Sequence, residues 1–202
     1  MNNGLGTLAI ILHAHLPYVR HPERENVLEE TWLYEAITET YIPFLVACEQ
    51  LMQENVDFRF TVSLSPPLLH LLQDELVRTR YHEHLLRMLE LAEKEVARTS
   101  SYPPAQAVAR HYQTRLTEVY EYWLRWNQDI TKAFQALEAA GKVELIASAA
   151  THGFLPLLAP NRIAVECQIG IGVEAFQRCF GHPPQGFWLP ECGYYPGLDE
   201  IL

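Results

Sequence analysis

The sequence predicts an α/β fold built on a parallel sheet, and three observations carry that expectation. Four short β-forming runs alternate with segments of helical periodicity from one end of the chain to the other, the order that gives parallel strands with right-handed crossovers. The first run is apolar at consecutive positions, as in strands covered on both faces. Finally, the polar residues best suited to chemistry, His13, His15, His152 and Glu191, each follow one of these runs. The C-terminal ends of parallel strands are where α/β folds carry their sites.

Residues 8–12 (LAIIL) form the first strand and lead into His13, Ala14, His15, Leu16, Pro17 and Tyr18. Two histidines spaced by two at a strand end point to the same side. Over 29–55 the residues Trp32, Ala36, Ile37, Tyr41, Phe44, Leu45, Cys48, Leu51 and Met52 recur at threes and fours. That spacing marks an amphipathic helix, in which Pro43 starts or kinks a turn. Phe58, Phe60, Val62 and Leu64 then alternate with Arg59, Thr61 and Ser63, a strand of period two closed by Ser65, Pro66 and Pro67.

A proline opens a short helix over 68–72, and a second helix over about 79–98 aligns Leu85, Met88, Leu89, Ala92 and Val96 on one face. Past the turn at 100–104 comes the longest periodic stretch, through Val108, Leu116, Trp123, Trp126, Ile130 and Leu137 to a stop at Gly141 and Lys142. As one helix it would run some 35 residues and about 50 Å, longer than a crossover needs. The expectation is therefore a helical insertion over about 68–140, with the tryptophan stripe in its core. Residues 143–147 (VELIA) are a third strand, leaving through Ser148, Ala149, Ala150 and Thr151 to His152 and Gly153. A helix over 163–180 and the turn at His182, Pro183 and Pro184 lead to a fourth strand at Gly186.

Composition excludes several function classes. Acidic residues outnumber basic ones by 25 to 15, for a net charge of −10, which disfavours nucleic acid and anionic membrane as partners and leaves a neutral or small substrate. With 49% apolar and 20% charged residues the chain is globular. The cysteines Cys48, Cys167, Cys179 and Cys192 form no CxxC pair, so free thiols in a reducing cytoplasm are expected and no zinc module. The N-terminal apolar run lacks a basic flank and a cleavage site, and no apolar stretch is long enough to span a bilayer. A soluble cytoplasmic protein is the expectation.

Chemistry concentrates at residues 186–202. Phe187, Trp188 and Leu189 are β-formers, Pro190 removes a ladder donor, and Gly193, Pro196 and Gly197 punctuate a loop. Glu191 thus sits at a strand end beside Trp188, Tyr194 and Tyr195, the composition of a sugar-processing site. An exposed loop glutamate is the plainer alternative. For the histidine pair the alternative is one buried and one solvated ring.

Three segments, His13 to Tyr18, Ala147 to Gly153 and Gly186 to Tyr194, resemble in that order the first three sequence regions of glycoside hydrolase family 57, and most nearly its α-1,4-glucan branching enzymes. The likeness extends to residues 29–36 (EETWLYEA) and 65–69 (SPPLL), and so covers nearly the whole chain. The resemblance implies a distorted (β/α)7 barrel, incomplete within these 202 residues, carrying the long helical insertion. It also implies retention of anomeric configuration, with no cofactor and no metal. By resemblance Glu191 is the catalytic nucleophile, and His13 and His152 hydrogen-bond the hydroxyls of the adjoining sugar. Trp32 lies near the active site, and His15, Trp188 and Tyr194 are expected among the substrate-binding residues. The partner implied is an α-glucan such as amylose, glycogen or a maltooligosaccharide.

A retaining glycosidase also needs a general acid, with the two carboxyls about 5–5.5 Å apart. In the family this is an aspartate in a later region, and no such region occurs before Leu202, where 197–202 reads as the start of a helix. The chain is therefore expected to be the N-terminal part of a barrel that more sequence or a second chain completes, and to be inactive alone. Leu16, Pro17 and Tyr18 after Ala14 favour branching over glucanotransfer or hydrolysis by resemblance. Two readings from other classes stand beside this one: a metal-dependent hydrolase or deacetylase with His13, His15 and His152 as ligands, and a non-catalytic glucan-binding or split-enzyme subunit. A Cys192 thiol nucleophile is disfavoured, because a carboxylate immediately beside it opposes a thiolate where an activated cysteine has a cationic neighbour.

Overall fold

A computed structural model describes residues 6, 8–25 and 27–202. In chain order the elements are β1 (Ile11–Ala14), α1 (Leu28–Ala36), a π-helical turn (Ile37–Tyr41), α2 (Ile42–Gln53), β2 (Phe60–Leu64), α3 (Pro66–Gln73), α4 (Glu75–Arg98) and α5 (Pro103–Arg125). There follow α6 (Thr131–Ala139), β3 (Val143–Ser148), α7 (Leu155–Leu158), α8 (Arg162–Phe180), β4 (Phe187–Trp188) and single 3-10 turns at Pro190–Cys192 and Leu198–Glu200. These elements form two compact units, one of residues 1–17, 55–69 and 134–202, the other of 18–54 and 70–133. Among the described residues no helix is long and apolar enough to cross a membrane.

The first unit holds the sheet. Its four strands are all parallel and lie in chain order β1-β2-β3-β4. The central strand β3 is buried at all but Glu144, as its apolar run requires. By contrast β1 begins three residues later than its apolar run predicts, so His13 lies within the strand, and Leu8, Ile11 and Leu12 are 83%, 47% and 39% exposed. The reason is positional: among the described residues β1 pairs only with β2, so its outer edge is open. Ala149, Leu155, Val165, Ile169 and Leu198 form a core cluster with Leu158, Val173, Phe187 and Leu189 packed on it. Each large side chain buried there contributes roughly 1.5–3 kcal/mol. The helix start expected at the C-terminal residues is one 3-10 turn.

α8 shows how local signals set an element. Asn161 caps its N-terminus by accepting from the Ala164 amide, and Gly181 ends it in the left-handed conformation at φ 82°. Gly172 lets α8 approach the sheet, since a Cβ there would run into the Ser148 carbonyl.

The second unit is helical. The expected helix over 29–55 is present but interrupted by a π turn at Ile37–Tyr41, in which the Ile42 amide donates to the Ile37 carbonyl, and Pro43 sits just after it in the first turn of α2. α4 begins at an unforeseen cap: Asp74 accepts from the Val77 amide at 3.0 Å and pairs with Arg20 at 2.7 Å. The single long helix expected from residue 108 onward is two helices, α5 and α6. Asn127 and Gln128 turn left-handed at φ 52° and 61°, and the Asp129 carboxylate accepts from the Thr131 amide and hydroxyl. The apolar spacing keeps its phase across this turn, so periodicity alone could not reveal the break. Trp123 is 1% exposed and meets Tyr81 edge-on at 4.8 Å, so this tryptophan is core as expected. Glu30 is buried with Arg80 at 2.6 Å and accepts a hydrogen bond from the Tyr34 hydroxyl.

Candidate active site

The site is built where three strands of the first unit end. The parallel register sets His13 beside Ser63, and side chains at paired positions of neighbouring strands share a face. His13 Nδ1 lies 3.0 Å from Ser63 Oγ, and two residues on, His15 Nδ1 lies 2.8 Å from Ser65 Oγ. The Ser65 amide donates to the Ala14 carbonyl at 3.0 Å, which extends the ladder just far enough to align the second pair. Both serines are fully buried.

The loop after β3 delivers His152. It is fastened to α8 by the Ala150 amide, which donates to the Gln168 carbonyl at 2.8 Å, and by the Thr151 amide, which donates to Gln168 Oε1 at 3.0 Å. His152 itself is left-handed at φ 57°. The loop after β4 delivers Glu191, also left-handed at φ 53°, followed by Cys192 at φ 56°. Non-glycine residues held there cost about 1–2 kcal/mol each, and such strain concentrates at functional sites. The two loops touch at Gly193, where a Cβ would meet the Phe154 ring and lie 2.9 Å from Pro156 Cδ. Ser148, at the end of β3, donates its hydroxyl to the Trp188 carbonyl at 2.9 Å and anchors the last residue of β4.

The side chains converge as follows. His13 Nε2 and His152 Nε2 are 2.8 Å apart, and His152 Nδ1 is 3.8 Å from Glu191 Oε1. His15 stacks on His152 with centroids 3.6 Å apart and planes within 8°, and Trp188 stacks on His13 at 5.7 Å and 23°. The His152 side chain is 6% exposed, whereas that of Glu191 is 73% exposed. A carboxylate open to solvent therefore lies beside a buried imidazole side chain.

Burial first, and then the neighbouring His152, lower the pKa of His13 and His15 to about 4. Burial also lowers that of His152, against the opposing pull of Glu191. At neutral pH His13 and His15 are thus uncharged, each with one N–H donor and one nitrogen acceptor, and in His13 both are engaged, by Ser63 and His152. Among the described residues no group of three His, Cys, Asp or Glu side chains is arranged to hold a metal ion.

Of the residues singled out from the sequence, His13, His15, His152, Trp188 and Glu191 come together. Tyr194 is 56% exposed and its hydroxyl donates to Asp199 Oδ1 at 3.1 Å. Trp32 belongs to the second unit, on α1, and is 46% exposed. Sequence reasoning did not single out Ser63, Ser65 or Gly193. The serines had a signal, because each stands at the end of a predicted strand that neighbours the histidine strand.

The model of the family described as Glycosyl hydrolase family 57 matches residues 9–202. The chain is 39% identical over 197 residues to a 1,4-alpha-glucan branching enzyme of Thermococcus kodakarensis, covering 98% of this chain and 28% of that protein. It is 31% identical to a probable 1,4-alpha-glucan branching enzyme of Mycobacterium tuberculosis, covering 96% of this chain and 39% of the other. Among solved structures, an alpha-amylase from Thermotoga maritima superposes with a TM-score of 0.91 at 41% identity, covering 96% of this chain and 37% of that one. A GH57-type branching enzyme from Pyrococcus horikoshii superposes at 0.88 and 36% identity, covering 95% and 36%. The four parallel strands and their helices correspond to an incomplete distorted (β/α)7 barrel of this type. The chain spans between 28% and 39% of the length of these relatives.

Proposed function

Because this chain belongs to glycosyl hydrolase family 57, we propose that it carries the nucleophile half of a retaining α-glucan-active site, in an enzyme that transfers an α-1,4-glucan chain to a glucan 6-hydroxyl in the cytoplasm. The single observation supporting this most directly is the convergence of His13, His152 and Glu191 at three strand ends. In this reading the Glu191 carboxylate attacks the anomeric carbon and forms a covalent glycosyl-enzyme, while His13 and His152 exchange their mutual hydrogen bond for the hydroxyls of the same ring. His15, Trp188, Tyr194 and Trp32 contribute to binding amylose, glycogen or maltooligosaccharides. The leaving oxygen needs a proton from a second carboxyl group, an aspartate that the family resemblance puts outside residues 1–202. The 202-residue chain alone is accordingly expected not to turn over amylose. Exposed Ile11 and Leu12 on the open edge of β1 support a further part of the reading, that additional strands, in the same or a second chain, complete the barrel.

A fluorinated α-glucosyl fluoride tests the nucleophile without the acid, because fluoride departs without protonation and the ring fluorine slows release of the intermediate. The expected result is a glucosyl adduct mapped by mass spectrometry to Glu191 and lost in Glu191→Gln. Absence of the adduct in the native chain, or its persistence in that variant, removes Glu191 from the role. New α-1,6 linkages from amylose in the completed enzyme would support branching; reducing ends alone would make it a hydrolase.

A further inference from the structure

We propose that Ser63 is a positioning residue: through His13 it fixes the tautomer of His152, so that an N–H and not a lone pair faces the Glu191 carboxylate. Four groups form a chain, Ser63 Oγ to His13 Nδ1 at 3.0 Å, His13 Nε2 to His152 Nε2 at 2.8 Å, and His152 Nδ1 to Glu191 Oε1 at 3.8 Å.

The direction of the chain follows from hydrogen-bond accounting. Ser63 is 0% exposed, and His13 is the hydrogen-bond partner of its side chain. A buried hydroxyl left without an acceptor costs about 1–3 kcal/mol, so Ser63 donates its proton to His13 Nδ1. With that nitrogen accepting and the ring uncharged, the single ring proton of His13 resides on Nε2. The contact at 2.8 Å between two Nε2 atoms needs one proton between them. His13 supplies it, and His152 Nε2 accepts. The proton of a neutral His152 is thereby confined to Nδ1, the nitrogen nearer Glu191 Oε1.

The opposite polarity would be costly at both ends. It would strand the Ser63 hydroxyl in the core and turn a lone pair of His152 toward an anionic carboxylate. Ser65 repeats the device one step along. It too is 0% exposed and 2.8 Å from a histidine Nδ1, that of His15, so His15 presents Nε2–H. The parallel ladder of β1 and β2 is what places one serine under each histidine.

The hydrogen-bonded chain itself does not depend on the function proposed for Glu191; only its catalytic consequence rests on that reading, a nucleophile oriented by a donor before substrate arrives. The test is substrate-free for this reason. Two-bond ¹H–¹⁵N correlation spectra of ¹⁵N-histidine-labelled protein at pH 7.5 report which nitrogen of each ring carries hydrogen. The expected spectra show His13 protonated on Nε2 alone and His152 on Nδ1 alone. Ser63→Ala should collapse both to tautomer averages although Ser63 touches only His13, and Ser63→Thr should restore them by returning the hydroxyl. If the alanine variant does not fold, Ser63→Cys keeps the volume with a much weaker donor and makes the same comparison. His13 protonated on Nδ1 in the native protein overturns the proposal at once. An unchanged His152 in whichever of the alanine or cysteine variants folds overturns it equally, while leaving the fluorosugar result on Glu191 untouched.

Discussion

His152 Nδ1 lies 3.8 Å from Glu191 Oε1, and both residues hold left-handed backbone, at φ 57° and 53°. Two side chains from different strands therefore meet only because two loops each adopt a conformation that L residues avoid. Relieving one of them should stabilise the protein. Glu191→Gly is expected to raise unfolding stability by about 1 kcal/mol, because the side chain removed is 73% exposed and gives up little packing. Chemical denaturation reads this directly, and a destabilised variant would show that the backbone there is not strained.

Gly193 joins the same two loops through a close approach. Gly193→Ala places a methyl group against the Phe154 ring and Pro156, and overpacking of this kind costs about 1–3 kcal/mol. The expected outcome is a loss of that size together with loss of fluorosugar labelling at Glu191. Native stability with normal labelling would show that the loops part without consequence.

Acid should weaken the fold through the sheltered rings. His13 and His15 titrate near pH 4 when folded and near 6.5 when unfolded, so between those values the unfolded chain binds more protons. Stability is therefore complete above about pH 6.5, falls as pH drops toward 4, and levels off below that. Each histidine contributes a slope of at most about 1.4 kcal/mol per pH unit. Denaturation midpoints at pH 7, 6, 5 and 4 measure it. A His13→Gln, His15→Gln double variant should flatten the dependence, and an equally steep curve in that variant would assign the effect elsewhere.

In the helical unit, Glu30 is held by Arg80 at 2.6 Å with side-chain exposures of 4% and 14%. Arg80→Met leaves that carboxylate buried without its cation, a change that typically costs about 3–5 kcal/mol. A companion Glu30→Gln change in the same chain should recover a large part of the loss. A single variant as stable as the native protein would mean that the pair is dispensable.

Much of this molecule was legible in one dimension. The alternation of apolar runs with helical periodicity specified four strands in parallel order, since burial patterns of period two and 3.6 are local properties of the chain. The residues that end those runs, His13, His152 and Glu191, could be named because strand ends in such a sheet gather at one rim by topology. Where local signals conflicted, the sequence was ambiguous: the apolar phase running through Trp126 and Ile130 hid a break that Asn127, Gln128 and the Asp129 cap impose.

What the tertiary structure alone decided is geometric. Whether Ser63 lies under His13 depends on the register between two strands about 50 residues apart, which is set by packing and not by either strand's own composition. The exposure of β1 depends on which strands flank it, and left-handed turns at His152 and Glu191 are held by α8, Gln168 and the contact at Gly193. Residue types fix which chemistry is available; only long-range contacts fix the few ångströms and the ring orientations on which that chemistry depends.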